Sequence, residues 1–164
     1  MVNLPPIDPP FSVVLVHPQI PPNTGNVARL CAVTGCRLHL VEPLGFSIAD
    51  KDLRRAGLDY WDQVVARIHP NLEAWEASLE GANFHLFSGH GARSLWETEF
   101  LPGDHLVFGA EQDGLPRALL ERYPERVVAI PQRPGLRSLN LSTSVGIGVY
   151  EALRQRMATM SAAR

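Results

Sequence analysis

The sequence predicts an α/β fold, one domain built on a mainly parallel sheet flanked by helices, and three observations carry that expectation. Short apolar runs rich in β-branched residues alternate with helical patterns along the chain. Three of the runs lead into loops dense in Gly, Pro, Asn and Ser, over Asn23–Arg29, Phe108–Pro116 and Ile130–Ser142, each ahead of a helical pattern. The chain has 164 residues, enough for a single domain that buries roughly 70% of its unfolded surface.

Taken in order, residues 1–10 contain four prolines and read as a flexible extended arm outside the core. Phe11 to His17 is the first strand. Pro18, Pro21 and Pro22 close it and delay the helix that follows. From Asn23 or Thr24 that helix starts with a side-chain cap, turns Val27, Leu30, Cys31 and Val33 or Thr34 inward, and stops at Gly35. Arg37–Val41 is a second strand, and Asp50–Leu58 a basic helical segment that puts Lys51 and Arg55 on one face. Val64–His69, Asn83–Phe87, His105–Phe108 and Val127–Ile130 read as strands; Leu72–Leu79, Pro116–Tyr123 and Leu141–Met157 read as helices. The domain thus spans 11–157, with 158–164 a flexible tail.

Composition narrows the class. With 45% hydrophobic and 20% charged residues the chain is that of an ordinary globular protein. No apolar run approaches the ~20 residues of a membrane helix and no signal-like segment is visible, so the expected location is the cytoplasm, with no membrane partner. A net charge of −2 excludes a blanket of positive potential, so any nucleic-acid contact is local. Of 15 basic residues 14 are Arg, the side chain suited to bidentate phosphate recognition. Cys31 and Cys36 lack the spacing of a zinc site and read as buried reduced thiols. The six histidines are scattered singly and read as structural or surface groups. Gly146 and Gly148 lie inside an apolar helical pattern without a third glycine, so close helix packing explains them better than a dinucleotide fingerprint.

There is no nucleophile elbow, no Walker loop and no His-Glu-x-x-His. What remains is Asn, Arg, Glu and Ser on glycine-rich backbone, gathered at one edge of a parallel sheet, where open α/β proteins bind ligands. Such a set positions reactants and stabilises charge rather than forming covalent intermediates.

The three loops resemble the three motifs of the SPOUT superfamily of S-adenosylmethionine-dependent RNA methyltransferases. Asn23-x-Gly25-Asn26-x-x-Arg29 is similar to the first motif, Phe108-Gly109-x-Glu111-x-x-Gly114-Leu115-Pro116 to the second, and Ile130-Pro131 through Ser138-x-Asn140-x-Ser142 to the third. Within it, Pro18-x-Ile20-Pro21-Pro22-Asn23-Thr24-Gly25-Asn26 and Leu53-Arg54-Arg55-Ala56-Gly57-Leu58-Asp59-Tyr60 resemble the tRNA 2′-O-methyltransferases acting at wobble position 34. The resemblance implies a C-terminal deep trefoil knot, which topology rules alone would reject. It also implies S-adenosylmethionine as donor, no metal, a homodimer and the tRNA anticodon loop, rather than DNA, as partner. Val145, Val149 and Leu153 then face either a second subunit or the domain's own core.

By the same resemblance Arg29 is the catalytic residue, with Asn23 and Asn26 holding it and the ribose unless they cap the helix. Glu111 orients the ribose or an asparagine amide, and Ser138 and Asn140 lie near the reacting hydroxyl. Phe87, Gly109, Gly114, Ile130 and Ser138 occupy donor-contact positions, and Lys51, Arg54, Arg55 and Arg133 reach the RNA. Ala110, Asp113 and Thr143 depart from the family pattern and bear on substrate preference. Two other readings stay open: a catalytically silent RNA-binding module of the same fold, and a methyltransferase of another RNA such as ribosomal RNA.

Overall fold

The computed structural model describes residues 3–49 and 61–162. The basic segment Asp50–Leu58, with Lys51, Arg54 and Arg55, lies outside the described residues.

Seven strands form one sheet in which all pairs are parallel: β1 Ser12–Val16, β2 Arg37–Val41, β3 Val65–His69, β4 Phe84–Phe87, β5 Arg93–Ser94, β6 His105–Phe108 and β7 Val127–Ala129. Their order is β3-β2-β1-β6-β4-β7-β5. The insertion of β7 between β4 and β5 is consistent with the knotted C-terminal region that the resemblance implies. Alternation along β1 sends Val13 and Leu15 to one face and Val14 and Val16 to the other, so the strand is buried on both sides. On the first face lie α1 Pro21–Thr34, the single turn α2 Trp61–Val64, and α5 Leu141–Ala162. On the second, α3 Leu72–Ala77 contributes Trp75 and α4 Arg117–Arg122 contributes Leu119.

The structure corrects several sequence expectations. Helix α1 starts at Pro21, with the prolines inside its first turn rather than before it, because N1 and N2 need no N–H donor. Val33 on it is 61% exposed, whereas Val27 and Cys31 are fully buried. It does end at Gly35, in the left-handed region at φ 75°. Helix α5 runs to Ala162, so residues read as a tail continue the helix. Val145, Val149 and Leu153 on it pack inside the domain's own core. Residues 3–10 of the N-terminal arm have no regular structure, yet Ile7 packs against the core. Strand β5 and the 3-10 turn Leu95–Glu97 went unpredicted, being too short to show periodicity. Gly148 meets the expectation of close packing, since a Cβ there would touch the Phe87 ring at 3.1 Å; Gly146 faces open space. Both cysteines are free and buried, and burial raises both thiol pKa values, so they stay as thiols.

The histidines are not all solitary. His39, His69 and His105 meet on the sheet, His39 Nδ1 lying 3.0 Å from His69 Nε2, while Trp75 Nε1 donates to His105 Nδ1 at 3.3 Å. Burial, with the neighbouring His105, His69, Arg37 and Arg67 adding to it, holds His39 down to about 3. Burial likewise holds His105 to about 4, against the opposing pull of Asp104. His69 is also lowered, by burial first and then by Arg67.

Candidate active site at the carboxyl edge of the sheet

Because every strand is parallel, the segments after β1, β4, β6 and β7 leave from one edge. Those after β4, β6 and β7 enclose a cleft of about 580 Å³, within the size of small-molecule sites. Phe87, Gly109, Gly114, Ile130 and Ser138 all line it, as do Glu111, Asp113 and Arg133. At its floor the rings of Phe87 and Phe108, which share a register position on β4 and β6, stack with centroids 4.4 Å apart.

In the turn after β6, backbone packs directly on backbone. Gly109 permits this, for a Cβ there would lie 2.0 Å from the Gly114 carbonyl carbon. Gly114 itself sits at φ 68°, and Ala110 and Gly114 exchange both backbone hydrogen bonds, at 3.2 and 2.9 Å. The departure at Ala110 is therefore locally useful: its N–H donates to Gly114, which a proline could not do.

The network at the mouth of the cleft starts from a gap in α1. No side chain of that helix caps its N-terminus, and its first turn has no acidic residue. The Glu111 carboxylate supplies both from 91 residues away, accepting from the Ile20 N–H at 3.0 Å. It also accepts from the Gln19 N–H at 2.7 Å and from Asn23 Nδ2 at 3.2 Å. Asn23 Oδ1 in turn accepts from Asn140 Nδ2 at 3.1 Å. Asn140 Oδ1 caps α5, accepting from the Ser142 N–H at 2.9 Å and the Thr143 N–H at 3.4 Å. Since Thr143 takes part through its backbone, its side-chain departure leaves the cap intact. One residue from each of the three loops thus meets in a continuous chain, Glu111–Asn23–Asn140.

Asn23 is buried and spent on this chain, so neither it nor Asn26 caps α1. Asn26 and Arg29 lie exposed, three apart on one face of the helix. Among the described residues neither asparagine bonds Arg29, so the expectation that they hold it has no contact behind it. Ser138 and Arg133 are exposed on the loop from Pro131 to Asn140. Sequence reasoning missed Gln19, Ser88, Gly89 and His90. The last three line the cleft after β4, and the Gly-rich turn there was the only signal. Gln19 offered none, because its partners are 92 to 94 residues distant.

The chain resembles known proteins over most of its length. A tRNA (cytidine(34)-2'-O)-methyltransferase from Burkholderia ambifaria is 51% identical over 148 residues, covering 88% of this chain and 95% of its own. A solved structure concerned with the 2-OH methylation of C/U34 on tRNA shares 46% identity at a TM-score of 0.85, over 90% of this chain and 97% of its own. An AdoMet-bound rRNA methyltransferase from Sinorhizobium meliloti shares 25% identity at a TM-score of 0.76, over 93% of this chain and 58% of its own. The SpoU rRNA Methylase family pattern matches residues 10–150, which include all three loops and every residue of the Glu111–Asn23–Asn140 chain, and the protein belongs to that family.

Proposed function

We propose that this protein transfers a methyl group from S-adenosylmethionine to the ribose 2′-hydroxyl of the nucleotide at wobble position 34 of tRNA, without a metal. The observation that carries the reading is the Glu111–Asn23–Asn140 chain at the mouth of the cleft, which ties the donor-lining loops to the helix bearing Arg29. The names of the similar proteins support the substrate.

The cleft suits the donor chemically, since the space left by Gly109 lets backbone rather than side chains form the wall, and stacked phenylalanines make an apolar floor. When bound, the donor supplies an electrophilic methyl on a sulfonium. The residues do the rest. Phe87, Gly109, Gly114, Ile130 and Ser138 hold and aim the donor. Asn140, anchored to Asn23 and to the start of α5, fixes the loop that carries Ser138 beside the acceptor. Arg29, planar and always cationic, orients the 2′-hydroxyl and the adjoining phosphate. It is a poor base, so its contribution is alignment and electrostatic stabilisation. Arg133 meets the anticodon loop by phosphate contact, and Lys51, Arg54 and Arg55 are assigned the same role from sequence.

The protein acts as a homodimer in the cytoplasm. Val33 on α1 and Tyr150 on α5 stay 61% and 52% exposed, on two helices that pack against each other, and would form part of the contact. The decisive experiment incubates the full chain and labelled donor with unmodified anticodon stem-loops and, separately, with ribosomal RNA fragments, followed by nucleoside mapping. The expected product is a 2′-O-methyl at residue 34. Methylation of ribosomal RNA alone would overturn the substrate, and binding of RNA with no transfer would favour the silent module.

A further inference from the structure

The strap between β1 and α1 grips three consecutive residues of the loop after β6. The Gln19 N–H donates to Glu111 Oε2 at 2.7 Å, its side-chain oxygen accepts from the Gln112 N–H at 3.2 Å, and its Nε2 donates to Asp113 Oδ2 at 3.3 Å. On the opposite side the strap is fixed by the loop after β2. The Gly45 N–H donates to the Pro18 carbonyl at 2.9 Å, and a Cβ on Gly45 would lie 2.7 Å from the Gln19 Cα. Gln19 therefore cannot shift without moving the loop it holds. Glu111, Gln112 and Asp113 all line the cleft.

We propose that Gln19 is a positioning residue that clasps the loop Gly109–Gly114 to the start of α1, and that Asp113 is the matched partner of its amide in this chain. The inference rests on the methyl-transfer reading above and adds to it a residue that touches neither donor nor acceptor. The physical need is plain. In-line transfer requires the donor loop and the helix carrying Arg29 to share one frame, and a misplacement of about 1 Å can cost up to a hundredfold in rate. Glu111 alone ties the loop at one point. The two side-chain bonds from Gln19 stop it rotating about that point. Asp113, which departs from the family pattern, then has a reason to be acidic: it accepts where a basic residue would meet the amide's donor end.

The test is a double-mutant cycle on the full chain, read by kcat, by KM for an anticodon stem-loop and by calorimetric Kd for S-adenosylhomocysteine. Gln19→Ala should lower kcat about tenfold and weaken product binding several-fold, with the thermal midpoint moving by no more than about 2 °C, since the two side-chain hydrogen bonds lost are solvent-exposed and such bonds contribute little to stability. Gln19→Glu keeps the acceptor for Gln112 but sets a carboxylate against Asp113 and Glu111. It should be at least as impaired at pH 8, and its deficit relative to wild type should shrink toward pH 5. Adding Asp113→Asn restores a donor opposite the new carboxylate, so Gln19→Glu/Asp113→Asn should recover at least fivefold over Gln19→Glu. A merely structural role would show neither the pH recovery nor the rescue. Wild-type kcat and product affinity in Gln19→Ala, or no rescue in the double variant, would overturn the proposal. Should the wild-type chain transfer no methyl at all, the function reading fails, and the product-binding arm of the same cycle still decides whether Gln19 sets the loop.

Discussion

Two of the polar side-chain clusters among the described residues are joined by neither periodicity nor local sequence, and they handle their polar groups in opposite ways. At the carboxyl edge, Glu111 is half-buried and surrounded by donors: two backbone N–H groups and the Asn23 amide, at the positive end of α1. There the fold directs the contacts of a carboxylate and leaves the side chain of Arg29 exposed on the neighbouring helix face. On the sheet, His39 stacks on His69 and lies tilted against His105, which is tilted in turn against Trp75; burial first, and neighbouring imidazoles after it, push His39 and His105 toward the neutral form. His69 Nδ1 has no hydrogen-bond partner among the described residues. The first network is open to solvent and joins three loops; the second is buried in the sheet and sheds its charge.

The comparison can be broken from the edge inward. Arg29→Ala should leave donor affinity nearly intact and lower kcat a hundredfold or more, a loss of about 2.7 kcal/mol of transition-state stabilisation. Arg29→Lys should not rescue it, as an ammonium lacks the planar fork. Steady-state rates with an anticodon stem-loop decide it, and near-wild-type turnover in Arg29→Ala would remove the assigned role. Glu111→Gln keeps the shape and loses the charge that anchors three donors. It should reduce kcat/KM about tenfold and the thermal midpoint by roughly 3–6 °C. An unchanged midpoint would mean that the carboxylate does not hold α1.

The histidine cluster is read by stability rather than by turnover. In the folded chain His39 and His105 stay neutral down to about 3 and about 4, whereas in the unfolded chain they protonate near 6.5. The unfolded state thus binds more protons as the pH drops below 6.5, and stability present at neutral pH declines progressively from there toward pH 4. Urea midpoints at pH 7 and pH 5 should show this decline. They should show it equally in Arg29→Ala and Glu111→Gln, because the two clusters share no partner. A flat midpoint across that range would show that the imidazoles titrate normally in the native state.

Much of the site was legible locally. The strand endings, the glycines at 109 and 114, and the Asn, Glu and Ser of the three loops are each set by short-range chemistry: turns that need glycine, helix starts, and apolar runs that must pair. The start of α1 was misread because prolines usually interrupt a helix, and only the unneeded donors of a first turn make them welcome. The outward turn of Val33 and the inward turn of Val145, Val149 and Leu153 followed from where α1 and α5 pack on each other and on the sheet, which no amphipathic pattern on either helix announces.

The sequence by itself determined the class of fold and most of its strands and helices, because propensity, capping and alternation act over a few residues; the candidate side chains for the chemistry came from the resemblance of the three loops to a known family. Only the tertiary structure decided who meets whom. Glu111 caps a helix 91 residues earlier, Gln19 clasps Gln112 and Asp113, and three solitary histidines share one buried site. Those pairings depend on the strand order and on side-by-side loops at one sheet edge, a global arrangement in which the contacting residues carry no mark of one another along the chain.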